Sequence, residues 1–423
     1  MTSVKNSDIH WLGKVASDWE IAPAWRVMKE RGEKSLPDDV HLTPSQTHGV
    51  LTQQDYMDRT GNKVVLNLAG TDNMKRVRAG DFIIHLRSFQ GGIEASAIDG
   101  KVSNAYTVLT PAPDAHFGYY RWFMKSVPLI EGLASSTDQL RDGQSINFSR
   151  FSRLSLPLPP LETQRRIADY LDRETAEIDA AVADLDKYLQ LLEKRRLETI
   201  TSAVEGSSGP GKDKLGSEEF LKPKLGYVVI DIRTGLNPRK NFELDTPGAE
   251  NWYVTVRELD GVSIRTSEAT SKINDQALEM IQKRARIKVG DVLFSGTGTI
   301  GNTALVSLPP SNWGVKEGIY ILTPDTSLMR SDFLLWILRS RKILSLADEM
   351  SDGSTLKSIP IEKLKRVPIP LPSLSVQKLI VNYLDRETTE IDALVTESKK
   401  LRDLLLKRRS VLITEVVTGR KQV

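Results

Sequence analysis

Two stretches of this chain are near-duplicates of each other. Residues 157–206 read PLPPLETQRRIADYLDRETAEIDAAVADLDKYLQLLEKRRLETITSAVEG, and residues 370–419 read PLPSLSVQKLIVNYLDRETTEIDALVTESKKLRDLLLKRRSVLITEVVTG. About half of the positions are identical at a constant offset, including YLDRET at 170–175 and 383–388 and KRR at 194–196 and 407–409. A repeat of this length is one structural unit used twice, so it sets the architecture before any local motif is weighed.

Each copy has helical periodicity. Ile178, Val182, Leu185, Leu189 and Leu192 recur at alternating spacings of four and three, the a/d pattern of a coiled-coil seam. In the second copy the seam is placed on Ile391, Leu394, Leu401 and Leu405, with a polar lapse at Ser398. These nine residues are the predicted positions for helix pairing. Prolines at 157–160 and 368–372 are expected to stop the preceding structure and launch the helices, and Gly206 and Gly419 to cap their ends. A helix of about 40 residues is roughly 60 Å long, a stiff rod rather than a core element.

The segments preceding the two rods are also related, though more distantly. MKRVRAGDFII at 74–84 parallels QKRARIKVGDVLF at 282–294, AYTVLTP at 105–111 parallels GIYILTP at 318–324, and a run carrying Trp122 and Ser126 parallels one carrying Trp336 and Ser340. Each half then has a polar turn, SSTDQLRDGQSIN or SDGSTLKSIP, before its proline block. Short β-branched runs such as KVVLNL, DFIIHL, YVVIDI, WYVTV and DVLFS, broken by Gly, Asn and Asp, indicate mostly-β globules with a few helices. The predicted fold is α+β: a globule at 1–156, a spacer helix at 157–206, a flexible joint at 207–220, a second globule at 221–369 and a second spacer helix at 370–419, the helices antiparallel in a pseudo-twofold arrangement.

Composition narrows the chemistry. The 423 residues suffice for two or three domains with real cores, and a net formal charge of only +3 means that a polyanion must meet local basic patches. The absence of cysteine excludes disulfides and thiolate chemistry, and the five histidines lack metal-ligand spacing, so no metal site is expected. MTSVKNSDIHWLGKV has no apolar signal region and no run approaches the length of a membrane span, so the protein is expected to be cytoplasmic, with no membrane partner.

Gly296, Gly298 and Gly301 are spaced as G-x-G-x-x-G straight after the strand-like run 292–295. A dinucleotide fingerprint needs a helix at its third glycine, whereas here another strand-like run ends at Pro309-Pro310. A P-loop is excluded because Asn302 stands where lysine is required, and the first half keeps only Gly91-Gly92. The glycines are therefore expected to form a hairpin whose tip lets other backbone approach closely. Around the paired Gly-Asp turns lie the candidate DNA-binding residues: Lys75, Arg76, Arg78, Arg87, Ser88 and Gln90 in one half, and Lys283, Arg284, Arg286, Ser295, Thr297 and Thr299 in the other. Cations supply sequence-independent phosphate attraction, and Arg, Gln, Ser and Thr read base edges.

Taken with WLGKVASDW at 11–19 and the Gly-Asp hairpins, the doubled proline–glutamine–helix motif with its KRR tail resembles the specificity subunit of type I restriction–modification enzymes over essentially the whole chain. Ser373 departs from the proline pair of the first copy, and no second WLG opening precedes the second globule. The resemblance implies two target recognition domains, each reading half of a bipartite site in double-stranded DNA, with the helices as a ruler. It also implies two modification (methyltransferase) subunits docked on the same nine helix positions, and restriction (translocase/endonuclease) subunits, which carry S-adenosylmethionine, ATP and magnesium; no cofactor and no catalytic residue are expected on this chain. No N-P-P-Y/F methyltransferase motif is present, the nearest string being LNPR at 236–239. The alternatives are a coiled-coil assembly scaffold without DNA readout and a self-contained modification enzyme.

Overall fold

The computed structural model describes residues 3–64, 73–85, 88–136, 146–210, 220–239, 241–309, 312–349 and 357–423. Arg87, KVVLNL from residue 65 onward, residues 211–219 of the joint, and residues 137–145 and 351–356 of the two polar turns lie outside the described residues. The chain divides into two compact units, one made of residues 1–185 and 400–423 and the other of residues 186–399. Both divisions fall inside long helices, Leu161–Val204 and Leu374–Val417, of 44 residues each.

The first unit is built on a four-stranded antiparallel sheet in the order Met28–Glu30, Thr107–Pro111, Phe82–Ile84, Glu94–Ala95. Successive strand residues point to opposite faces. Phe82, Ile84 and Leu109 therefore join a helical layer containing Tyr119, Tyr120, Phe123 and Leu129, while Ile83 and Val108 pack with Leu42, Val77 and Val102 on the other side. Both faces are covered, which is why FII is apolar without alternation.

The second unit repeats this plan. Its sheet runs Val229–Thr234, Ile319–Pro324, Val292–Ser295, Thr303–Leu305, again antiparallel. Val292, Phe294 and Leu322 pack with Phe333 and Trp336 on one face, and Leu293 and Ile321 with Val254 and Val315 on the other. The plans diverge in the smaller layer. A three-stranded sheet of Lys272–Ile273, Asn251–Val254 and Trp313–Val315 contains a parallel pair, whereas Lys75–Val77 pairs antiparallel with Gly100–Val102.

The spacer helices start later than the repeat suggests. Residues Ser155–Leu158 form a strand antiparallel to Glu20–Pro23, and Pro368 and Leu371 make isolated bridges to Lys224 and Leu221. The proline segments are thus β-edge pieces, where a missing N–H is tolerated. Each helix is then locked to its globule by a fully buried glutamine. The Gln164 carbonyl oxygen accepts from His116 N at 2.7 Å, and its amide donates to Asp114 O and Pro159 O at 2.9 and 2.7 Å. Gln377 accepts from Arg330 N at 2.8 Å and donates to Leu328 O and Pro372 O at 2.8 and 2.9 Å. Gln164→Leu or Gln377→Leu is expected to cost roughly 1–3 kcal/mol for each buried group left unpaired, measured by urea unfolding of the full chain.

Within each unit the two helices run antiparallel. In the first, Tyr170 Oη accepts from Lys421 Nζ at 2.8 Å and Asp179 pairs with Arg409 at 2.8 Å, so one helix ascends as the other descends. In the second, Arg196 pairs with Asp392 at 3.2 Å, and a side-chain carbon on Gly209 would lie 3.0 Å from the Tyr383 ring. The two ion pairs occupy equivalent positions of the repeat with the partners exchanged.

On the first helix Ile178 and Leu192 are buried and Val182, Leu185 and Leu189 half-buried, as the spacing predicts. On the second, Ile391 is buried and Leu405 half-buried, but Leu394 and Leu401 are exposed, at 38% and 49%, whereas Ser398 is buried at 8%. The second seam therefore runs Ile391, Val395, Ser398, Arg402, Leu405, the positions that align with Ile178, Val182, Leu185, Leu189 and Leu192. Choosing leucines for their hydrophobicity misplaced two positions. The repeat alignment carries the correct register, because a buried stripe is set by angular position on the helix and tolerates one small polar side chain.

Candidate nucleic-acid interface

Each Gly-Asp turn places a carboxylate under the central sheet. Asp81 is buried and accepts from Arg31 Nε at 2.6 Å and Nη2 at 2.9 Å, from Thr110 Oγ1 at 2.9 Å and from the backbone N–H of Arg78 at 2.8 Å. Asp291 is likewise buried and accepts from Arg233 Nη2 at 2.9 Å, Thr323 Oγ1 at 2.5 Å and Lys288 N at 2.8 Å. The hydrogen bonds that Arg31 donates to Asp81 hold its guanidinium above its usual range. These triads fix the bases of the loops that follow Phe82–Ile84 and Val292–Ser295.

In the first unit the predicted cations are engaged by neighbouring carboxylates. Lys75 donates to Tyr106 O at 2.8 Å and pairs with Glu30 at 3.5 Å. Arg76 pairs with Glu33 at 2.9 Å and with Asp39 at 3.7 Å, and Arg78 reaches both Glu33 oxygens at 2.9 and 3.0 Å. Arg78 and Arg76 hold the Glu33 carboxyl down at about 2. A depressed carboxyl contributes stability above its unfolded-state pKa and loses it as pH falls through the folded value. The contribution of Glu33 is thus expected to disappear between about pH 4.5 and pH 2, and Glu33→Gln to flatten that part of an acid-unfolding titration. Ser88 is fully buried, its hydroxyl accepting from His85 N at 2.9 Å at the start of the short helix Ser88–Gly91. It shapes the tip instead of facing outward, while Gln90 is exposed.

In the second unit the cations stand differently. Lys283 and Arg284 lie in the last turn of a helix, Asp275–Arg284, capped by the Asn274 side chain, which accepts from Ala277 N at 2.9 Å. They are not the strand-edge counterparts of Lys75 and Arg76 that the alignment implied. Lys283 pairs with Glu279 at 2.8 Å, but Arg284 and Arg286 are exposed and make no ion pair among the described residues. Arg286 lines a cavity of about 340 Å³ with Gln282, Pro309 and Trp313.

The glycine-rich turn is a hairpin loop, Gly296 to Asn302, followed by the strand Thr303–Leu305 and no helix. A side-chain carbon on Gly296 would lie 2.1 Å from the Tyr320 ring, and Gly298 and Gly301 have φ of 78° and 101°. The glycines thus serve close packing and left-handed backbone, as expected. Ser295 is fully buried, donating to Thr299 O at 2.6 Å and accepting from Asn302 N at 2.9 Å. Thr297 Oγ1 lies 3.2 Å from Ser358 Oγ, and Gly298 N donates to Lys357 O at 2.8 Å, so a second segment buttresses the loop. Thr299 is exposed at its tip.

Of the predicted contacts, Gln90, Thr299, Arg284 and Arg286 thus face outward without an ion pair, whereas Ser88 and Ser295 are structural. Sequence reasoning passed over Glu30, Glu33 and Asp39, which oppose the first basic cluster; the mixed-charge run ERGEK at 30–34 was the available signal. Among the described residues no helix is long and apolar enough to cross a membrane.

A family model described as the type I restriction modification DNA specificity domain matches residues 37–184 and 228–401. The chain is 25% identical over 246 residues to the EcoBI specificity subunit of Escherichia coli, covering 55% of this chain and 51% of that protein. It is 23% identical over 286 residues to the putative MjaX specificity subunit of Methanocaldococcus jannaschii, covering 66% and 62%. The matched stretch thus spans between half and two thirds of these relatives. Among solved structures, a chain from a study of assembly and conformational transition in the type I R-M system superposes with a TM-score of 0.64 at 17% identity, covering 95% of this chain and 98% of that one. The HsdS subunit of Thermoanaerobacter tengcongensis gives 0.51 at 19% identity, covering 96% and 98%.

Proposed function

The chain belongs to the type I restriction–modification DNA specificity family, and on that premise we propose that it is the non-catalytic subunit that reads a bipartite site in double-stranded DNA. One observation carries this reading: the same globule is built twice, with the same sheet order, buried Asp–Arg–Thr triad and glutamine lock, each at the head of a 44-residue helix. Two equivalent readers on stiff connectors match a target made of two half-sites. A 44-residue helix is about 66 Å long, enough to set half-sites one to two turns of about 34 Å apart.

Phosphate contacts hold register, and the exposed tips at Gln90 and Thr299 discriminate bases at about 1–3 kcal/mol per good bidentate contact. Two modification subunits dock against the helices, where Leu191 in one unit and Leu401 and Leu404 in the other present apolar surface. Restriction subunits join that complex, and S-adenosylmethionine, ATP and magnesium act on those partner chains.

Exchange of residues 221–369 for the corresponding globule of another family member tests the reading. Methylome sequencing of cells carrying the hybrid is expected to show one half-site changed and the other retained; an unchanged site would sink it. Arg286→Ala is expected to weaken binding about equally on every sequence and to reduce the slope of log K against log salt by about 1. A mobility-shift titration over salt concentration, in complex with the modification subunits, measures both; loss of discrimination at one base pair alone contradicts a phosphate role. The saturated cations Lys75, Arg76 and Arg78 are the feature that favours a scaffold without DNA readout, and absence of any shift in the same assay would establish it.

A further inference from the structure

The second unit holds a cavity of about 670 Å³ between its long-helix segment and the helices Ser331–Leu338 and Arg341–Glu349. Four cations line it, Lys194, Arg196, Arg339 and Arg341, against one carboxylate, Glu193. Two of the four have ion-pair partners: Arg196 meets Asp392 at 3.2 Å, and Arg341 meets Glu198 at 3.0 Å. Arg196 Nε is buried with no hydrogen-bond acceptor. Lys194 is exposed at the rim and makes no ion pair among the described residues.

Arg339 is the unusual member. Its guanidinium stacks on the Trp336 ring at 4.4 Å and donates to Gly261 O at 3.2 Å, and among the described residues it has no carboxylate within ion-pair distance. Burial, and then the neighbouring Arg196 charge, push it down to about 10. A comparison within the chain shows what is missing. In the paralogous unit the aligned position is Lys125, whose ammonium pairs with the buried Glu94. Glu94 sits opposite Ile83 in its sheet, and the residue opposite the equivalent Leu293 is Ala304. The carboxylate that neutralises this place in one unit is therefore absent from the other, while Arg341 stands where the first unit has Val127 and Arg196 keeps the place that Arg409 holds there. Asp392, Asp260 and Asp385 attract Arg339 only from beyond ion-pair distance, and a desolvated cation with no carboxylate in direct contact favours the arrival of an anion.

We propose that this cavity binds a phosphate group, held by Arg339 and Arg196 from within and by Arg341 and Lys194 at the rim. Planar guanidinium forks match phosphate oxygens in pairs, and the stack on Trp336 holds one fork in place beforehand. Gly301, at the base of the Gly296–Asn302 loop, lines the same cavity, so a phosphate on a DNA strand beside that loop and a free phosphate are both sources of the same chemistry. The site does not depend on which bases the globules read.

The test is calorimetric titration of the full chain with inorganic phosphate, together with a salt-dependent mobility shift on duplex DNA in complex with the modification subunits. Arg339→Gln is expected to weaken the affected ligand about tenfold, the effect of losing one charge-assisted contact. Because Arg339 is half-buried and packed on Trp336, the exposed substitutions Arg341→Gln and Lys194→Gln serve as a second pair that leaves the core intact. Phosphate binding that these variants weaken, with DNA affinity unmoved, assigns the site to free phosphate. A shallower salt slope on DNA in the same variants, with no binding of free phosphate, assigns it to a strand. No phosphate binding combined with unchanged DNA affinity and slope in all three variants overturns the proposal, as does saturation of the cavity by an acidic peptide that phosphate fails to displace.

Discussion

Leu192→Asp and Ile391→Asp are each expected to destabilise the second unit by more than about 4 kcal/mol, while Leu394→Asp and Leu401→Asp stay within about 0.5 kcal/mol of the parent. The four positions look alike in sequence, each an aliphatic residue at coiled-coil spacing. Leu192 and Ile391 are only 3% and 2% exposed, so a carboxylate there loses a packed side chain and strands a charge in an apolar seam. Leu394 and Leu401 already face outward, and a carboxylate there stays solvated. Urea unfolding of the four variants checks the contrast. Equal losses at all four would show that the seam runs through the leucines after all, and Ser398→Leu, which fills a buried seam position, is expected to raise the unfolding midpoint.

The next largest effect is expected at the paired aspartates. Among the described residues, Asp81→Ala removes the bidentate partner of Arg31 and leaves it only Glu33 at 3.2 Å, and Asp291→Ala removes the buried partner of Arg233 and leaves it only Asp231 at 3.1 Å. Removing one member of a buried ion pair costs about 3–5 kcal/mol where the remaining charge is left uncompensated, and the more exposed Glu33 and Asp231 offset part of that loss. Thr110 and Thr323 lose the same acceptor, which adds to the loss. Replacing both partners together, as in Asp81→Leu with Arg31→Met, is expected to recover most of it. A double-mutant cycle on thermal unfolding measures this; a double variant no more stable than Asp81→Ala would mean that the aspartate acts through the turn backbone alone.

Much of the fold was legible in the repeat. A shared offset implies a shared environment, so the paired glutamines, the YLDRET blocks and the Gly-Asp turns all found the same use in both units. The hairpin nature of the glycine-rich loop was legible too, because Pro309-Pro310 left no room for a helix behind Gly301. The candidate interface was less so. Lys75, Arg76 and Arg78 were visible as a basic run, but Glu30, Glu33 and Asp39 come against them only through strand pairing across the sheet layers. Lys283 and Arg284 were aligned with a strand edge, although they end a helix whose capping residue, Asn274, gives no sign of its role until the chain turns there.

The repeated segments alone determined that this protein carries two long amphipathic helices, each headed by its own globule, because helical periodicity and duplication are properties of the chain itself. Tertiary structure decided which side chains of those helices are buried and which charges are matched. Val395 and Ser398 lie in the seam while Leu394 and Leu401 do not, and Arg339 lacks the counter-charge that Lys125 finds in Glu94. Burial depends on the angle at which one helix meets another, and charge compensation on which strands lie side by side. Both are relations between residues distant in the chain, which local pattern does not encode.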